Sequence, residues 1–155
     1  MKALVLFYSK TGNTKEIAVN ISEVLNCDIE EIFDVKPRGF IRSGFESFFK
    51  IMPKIKQTEI DPKNYDMVII GTPVWAGNIA SPVRTYLFQN NEKLGKVAFF
   101  CTMKMDNSDK VFLEMERVCE SNPAACLSLT EQEIKQEKHI KKLKEFITKI
   151  KKKVS

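Results

Sequence analysis

The segment Ser9-Lys10-Thr11-Gly12-Asn13-Thr14 places hydroxyls, an amide and a glycine between an apolar run and a helical pattern. It contains no acid, thiol or imidazole for covalent or proton-transfer chemistry. It can hold an anion. Backbone N–H groups at a helix start are unpaired, and the helix dipole favours negative charge there. Gly12 allows close backbone approach. Ser9, Thr11, Asn13 and Thr14 add neutral hydrogen-bonding groups, so the segment reads as a phosphate cradle, with a simple capped turn as the plain alternative.

A second segment, GTPVWAGNIASP, follows the apolar run MVII and carries the single tryptophan, Trp75. Its ring offers a flat face for stacking. Glycines and prolines around it argue for a shaped loop over a core tryptophan. A third segment, TMKMDNSDK from Thr102 to Lys110, follows VAFFC and supplies mainly backbone donors.

Other chemistries fit less well. The chain has neither G-x-x-x-x-G-K-[ST] nor G-x-G-x-x-G, which disfavours a nucleotide triphosphatase and the usual dinucleotide fingerprint. Phe7-Tyr8-Ser9 stands where a receiver domain needs acids for Mg²⁺. Cys27, Cys101, Cys119 and Cys126 form no C-x-x-C pair or zinc spacing, and Cys101 reads as a small buried hydrophobe. His139, the only histidine, lies in a Lys-rich stretch and is expected to be exposed or to pack against a helix. No nucleophilic triad is present.

The elements that must position these segments alternate. Strands are expected over residues 3–8, 28–33, 67–71, 97–101 and 124–129. Helical periodicity covers 13–25, with Thr14 as N-cap, then 81–90 with Pro82 at the first position, 109–119 and the basic C-terminal stretch. Residues 37–56 are read as a crossover helix with Ile41, Phe45, Phe48 and Met52 on one side; the rival is a partly exposed aromatic surface for a ligand or partner. Alternation of this kind implies a parallel sheet with helices on both faces, in one domain spanning 1–155. Ligands of such sheets bind beyond the carboxyl ends of the strands, where all three segments fall.

The 155 residues and 43% hydrophobic content suit a full core. No apolar run approaches the roughly 20 residues of a membrane span, and the first run is too short for a signal peptide. A cytoplasmic protein without membrane insertion is expected. Net charge is +5, concentrated in the lysines from Lys135 to Lys153. Those lysines share an amphipathic pattern with Ile140, Leu143, Phe146, Ile147, Ile150 and Val154, read as a terminal helix docked on the sheet. Without interleaved aromatics on the basic face, nucleic acid is not expected as a partner.

SKTGNT after the first strand and GTPVWAG after the third resemble the flavodoxin family, as do the loop spacing and the five βα units. The resemblance covers essentially the whole chain and is to the short-chain form. It implies an α/β three-layer fold with a five-stranded parallel sheet in the order 2-1-3-4-5, and a non-covalent FMN. Ser9, Lys10, Thr11, Gly12, Asn13 and Thr14 would surround the 5′-phosphate; Thr72, Pro73, Val74, Trp75, Ala76 and Gly77 would approach the isoalloxazine, with Trp75 stacked on it. A carbonyl of Ala76-Gly77 or Gly77-Asn78 would meet the reduced flavin N5. Thr102, Met103 and Lys104 would lie along the pyrimidine edge, and Met103 or Met105 would cover part of the ring. Relatives often carry glycines or an aromatic in this third segment, which this chain lacks.

The function so implied is electron transfer between redox partner proteins, by a monomer in preference to a dimer. The basic charge departs from the acidic character usual in the family. It either reverses partner choice or leaves a locally acidic docking face built from Asp106, Asp109, Glu114 and Glu116. The alternatives are an NAD(P)H-dependent FMN or quinone reductase, with the Phe-rich 40–52 segment walling its pocket, and a flavin-free binding module.

Overall fold

The apolar run after Lys2 forms strand β1 (Ala3–Phe7), buried along its whole length. In the computed structural model, which describes residues 1–37, 39–105 and 108–154, it lies inside a parallel sheet. Its neighbours are β2 (Asp28–Glu31) and β3 (Met67–Trp75). Beyond β3 come β5 (Lys96–Met103) and β6 (Pro123–Thr130). The order β2-β1-β3-β5-β6 is the expected 2-1-3-4-5 with a short antiparallel strand, β4 (Asn78–Ile79), added beside β3.

Alternate side chains of each strand enter opposite layers. Leu4, Leu6, Val68, Ile70 and Phe99 meet Val83 and Leu87 of α3 (Ser81–Asn90) and Val111 and Met115 of α4 (Ser108–Cys119). Val5, Phe7, Ile69 and Phe100 meet Ile17 and Ile21 of α1 (Asn13–Leu25) and Phe146 and Ile150 of α6 (Ile140–Val154). Burial on both faces is why the central strands read as unbroken apolar runs.

Helix α1 has the expected bounds, but its N-cap is Gly12 and not Thr14. It ends at Asn26 in the left-handed conformation, a common helix stop. Helix α3 begins at Ser81, which puts Pro82 second. The basic helix α6 docks through Leu143, Phe146, Ile147 and Ile150 and turns its lysines outward, as expected, but Ile140, read as part of the same apolar face, is exposed at the first turn. His139 packs in the turn before α6, buried, with its carbonyl accepting the Leu143 N–H at 2.9 Å. Among the described residues all four cysteines are free thiols. Burial, reinforced by Asp28, pushes the Cys27 thiol up to about 11, so it stays protonated at neutral pH.

The 37–56 segment forms one helix, α2 (Phe40–Phe48), with its apolar side facing outward. Ser43, Glu46 and Ser47 are buried, while Ile41, Phe45, Phe48 and Met52 are exposed. The reason lies in what α2 packs against. Lys10 Nζ donates to Ser43 Oγ at 2.8 Å, Arg84 Nη2 reaches the Ser47 carbonyl at 3.5 Å, and Ser47 Oγ lies 3.3 Å from Ser81 Oγ. These polar groups arrive from distant parts of the chain and need the polar edge of α2 as partner.

No helix among the described residues is long and apolar enough to cross a membrane, and no cluster of three metal-ligating side chains is present among them.

Candidate functional site

At the carboxyl end of β1 the chain turns through Ser9–Gly12 into α1. Ser9 Oγ accepts the N–H groups of Gly12 at 3.2 Å and Lys15 at 3.3 Å, folding the loop back over the helix start. Gly12 has φ 99°, a conformation that suits glycine, and nothing lies within 4 Å of where its Cβ would be. Gly12, the N-cap, has no side chain to offer the start of α1; Ser9 takes the Lys15 N–H and leaves those of Asn13 and Thr14 without a partner among the described residues. The site thus has an open, donor-rich helix end.

The second segment is a hairpin and not a loop throughout. Strand β3 runs on to Trp75, and Val74 and Trp75 pair with Ile79 and Asn78 of β4. The connection is the two-residue turn Ala76-Gly77, with φ 48° and 72°. Positive φ at both central positions is the tight turn whose twist matches a hairpin. Thr72, predicted to approach a ligand, is instead buried: its Oγ1 donates to the Pro73 carbonyl at 2.8 Å and accepts the Ala80 N–H at 3.0 Å. It braces the hairpin. Asn78 Nδ2 donates to the Ala76 carbonyl at 2.8 Å. Exchanging Gly77 for Ala forces a Cβ into the left-handed region, and we expect a loss of about 1–2 kcal/mol in urea unfolding. Ala76→Gly removes the same strain from its neighbour and should raise stability in the same assay.

Trp75 is half-buried. Tyr8 meets its ring edge-on, with centroids 5.5 Å apart at 88°, and the Tyr8 hydroxyl donates to Asp34 Oδ2 at 2.8 Å. Lys10 Nζ lies 5.4 Å from the Trp75 ring centre and 4.9 Å from that of Phe40. The hairpin is also fastened from behind. Glu114 Oε2 accepts the Ile79 N–H at 3.3 Å, and Oε1 takes Arg84 Nη2 at 2.6 Å.

Strand β5 likewise continues past the expected end, through Thr102 and Met103. Thr102 Oγ1 and Thr14 Oγ1 are 2.8 Å apart, so the third segment is tied directly to the first. Met103 is buried, whereas Lys104 and Met105 are exposed. Asp106 and Asn107 lie outside the described residues. Glu114 is no part of an exposed acidic face, because it is buried against Arg84.

The three segments enclose one cleft of about 540 Å³. Thr11 and Asn13 line it from the first segment, Pro73 to Gly77 from the second, and Thr102, Met103 and Lys104 from the third. Ser9, Lys10, Gly12, Thr14 and Thr72 stand behind or beside these lining groups. Phe40, Met105 and Glu131 also line the cleft. Glu131 went unsingled in the sequence. The signal that could have found it is the capping box of the next helix, α5 (Glu131–Lys135), with Thr130 at the N-cap and Glu133 three residues on. A flat, partly apolar hollow with an anion-seeking helix start at one end suits a planar ring carrying a phosphate.

Known proteins share this fold. The Flavodoxin domain family matches residues 4–125. A flavoprotein from Lactobacillus acidophilus, solved in complex with FMN, is 27% identical, with a TM-score of 0.74 over 87% of this chain and 97% of that one. Flavodoxin 1 from Bacillus cereus shares the fold at 18% identity, with a TM-score of 0.57 over 97% of this chain and 98% of that one. An NAD(P)H dehydrogenase (quinone) from Cupriavidus metallidurans is 29% identical over 94 residues, which are 57% of this chain and 46% of that protein. The chain therefore spans less than half the length of that relative. Matched over residues 4–125 and folded with the strand order its two loops implied, the chain belongs to the flavodoxin domain family.

Proposed function

We propose that the chain binds FMN in the cleft and carries electrons between redox proteins. The observation that carries this reading is the start of α1, where Gly12 offers no capping side chain, opening beside the same cleft as Trp75. The residues fit the cofactor. Ser9, Thr11, Asn13 and Thr14 offer neutral groups and Gly12 an open approach to a phosphate, and the cleft is within the roughly 300–1,000 Å³ typical of small-molecule sites. When bound, FMN supplies the one- and two-electron redox chemistry.

The chain's own part is to bind, orient and tune. Trp75, in T-shaped contact with Tyr8, lines the space that the ring would take. Thr14 and Thr102 keep the phosphate and ring ends of the cleft in fixed relation. In the hairpin turn the Ala76 carbonyl is engaged by Asn78, so we assign the Gly77 carbonyl to accept a proton-bearing ring nitrogen. Lys104 favours negative charge at the pyrimidine edge. Lys104→Gln should destabilise the fully reduced form by about 1 kcal/mol at this water-wet position, read as a lower second-electron potential; an unchanged potential removes Lys104 from that role.

FMN titration into the purified chain tests the reading. Quenching of the fluorescence of FMN as the protein binds it tightly, with riboflavin binding far more weakly, is the expected result. Gly12→Asp sets a carboxylate against the phosphate and should weaken FMN about 100-fold or more, or about 3 kcal/mol, the scale of an unpaired like charge in a binding site. Equal affinity for FMN and riboflavin, or none for either, contradicts it.

A second reading, an NAD(P)H-dependent quinone reductase on the same fold, draws on the similarity to the quinone dehydrogenase of Cupriavidus metallidurans. Steady NAD(P)H oxidation by the pure, FMN-loaded protein in the presence of a quinone would favour it over the carrier.

A further inference from the structure

We propose that the outward face of α2 is the docking surface for an acidic redox protein, an inference that rests on the electron-carrier reading. The face consists of Ile41, Phe45, Phe48 and Phe49, exposed by 92%, 57%, 62% and 59%, and continues to Met52. With about 150–250 Å² per aromatic side chain, this leaves roughly 500 Å² of apolar surface, at the upper end of what a monomer shows without purpose.

The patch runs into the redox cleft. Phe40 opens α2 and lines the cleft, and Lys10 Nζ lies over both Phe40 and Trp75. A protein seated on α2 is therefore brought to the cofactor's edge. Charge selects its sign. Residues 35–56 hold six basic side chains and one acid, Glu46, which is buried and paired with Arg42. Lys36, Lys54 and Lys56, in the stretches that flank α2, are exposed, as is Lys104 in the cleft lining. An anionic partner gains from these lysines, in encounter rate above all.

Area and charge together argue against the other occupants. A second copy would set two basic segments against each other, and a stable dimer needs about 800 Å² per partner. Brief redox encounters bury less, which suits this patch. A helix lying on a membrane turns a Lys-rich polar face toward the headgroups. The polar edge of α2 is instead spent inside the protein on Lys10 and Arg84.

The test uses the acidic haem domain of a cytochrome b5 as probe and basic cytochrome c as its opposite. In a ¹⁵N amide titration, which needs no flavin, cytochrome b5 should shift resonances within 40–52, with affinity falling as salt rises. Phe45→Ser/Phe48→Ser, at exposed positions away from the cleft lining, should weaken binding about 10-fold. The FMN-loaded, reduced protein should pass electrons to cytochrome b5 about 10-fold more slowly in that variant, with the rate to ferricyanide unchanged. Loss of FMN binding would sink the carrier reading while leaving the titration to judge the surface. Four results overturn the proposal: stronger binding of cytochrome c; shifts confined to other elements; a double variant that binds cytochrome b5 as the wild type does; or no cytochrome b5 binding at all. In the last case, variant-sensitive binding to phosphatidylglycerol–phosphatidylcholine vesicles identifies a membrane, and a variant-sensitive dimer in sedimentation identifies a second copy.

Discussion

Glu114→Ala should lower the free energy of unfolding by about 3–5 kcal/mol, the cost of stranding a buried charge. Arg84 is buried and its guanidinium reaches Glu114 Oε1 from Nη2 at 2.6 Å and from Nε at 3.2 Å. Nothing else anionic among its described contacts can replace the carboxylate: its remaining recorded contact is the Ser47 carbonyl, and Nη1 has no partner among the described residues. The same carboxylate holds the Ile79 N–H, so its loss also frees the strand that backs the Trp75 turn. Stability and FMN affinity should fall together. Glu114→Gln keeps the acceptor oxygen and should cost less. Arg84→Met/Glu114→Leu removes both charges and should recover much of the loss, because a buried ion pair contributes little net stability over apolar replacement. Urea denaturation of the four proteins decides this. A cost below about 1 kcal/mol for Glu114→Ala would mean that water reaches the pair.

Gly71→Ala should be comparably damaging, at about 3 kcal/mol or more, above the usual range for overpacking. A Cβ at Gly71 would lie 2.0, 2.4 and 2.6 Å from three atoms of the Phe100 ring. Gly71 and Phe100 face each other across β3 and β5, and Phe100 is fully buried, so the ring has no room to swing away. Phe100→Leu alone vacates volume and costs stability. In the double variant the new methyl occupies part of that space, so the two losses should sum to more than the double loses. Additive costs would show that the ring already has room to move. The glycine sits immediately before Thr72, so this packing also fixes where the hairpin leaves the sheet.

The fold was readable where burial on both sides of a strand leaves a local trace. MVIIG and VAFFC are continuous apolar runs, and the alternation with helices dictates a parallel sheet. Strand ends were less readable. β3 and β5 extend through Pro73-Val74-Trp75 and Thr102-Met103, where pairing to β4 and β6 keeps the backbone extended although the apolar run has stopped. The hairpin was missed because Ala76-Gly77 lacks the usual Asn-Gly or Asp-Gly signature. The periodicity of α2 predicted a helix but not which side faces inward. That is set by Lys10 and Arg84, 33 and 37 residues distant from their partners. The cleft was legible through its chemistry, because hydroxyls, Gly12 and Trp75 are rare company at strand ends. The division of labour within it was not: Thr72 and Thr14 brace the walls, while Phe40 and Glu131 line them. Each of those assignments depends on a contact between segments far apart in sequence.

Anaerobic photoreduction of the FMN-loaded protein, followed by visible absorption, decides whether the proposed carriage of single electrons holds. A one-electron carrier should pass through two separated stages, with a broad long-wavelength band that rises through the first and disappears through the second. Conversion in a single two-electron stage, with no such band, would contradict it and move the protein toward the NAD(P)H-dependent reductases.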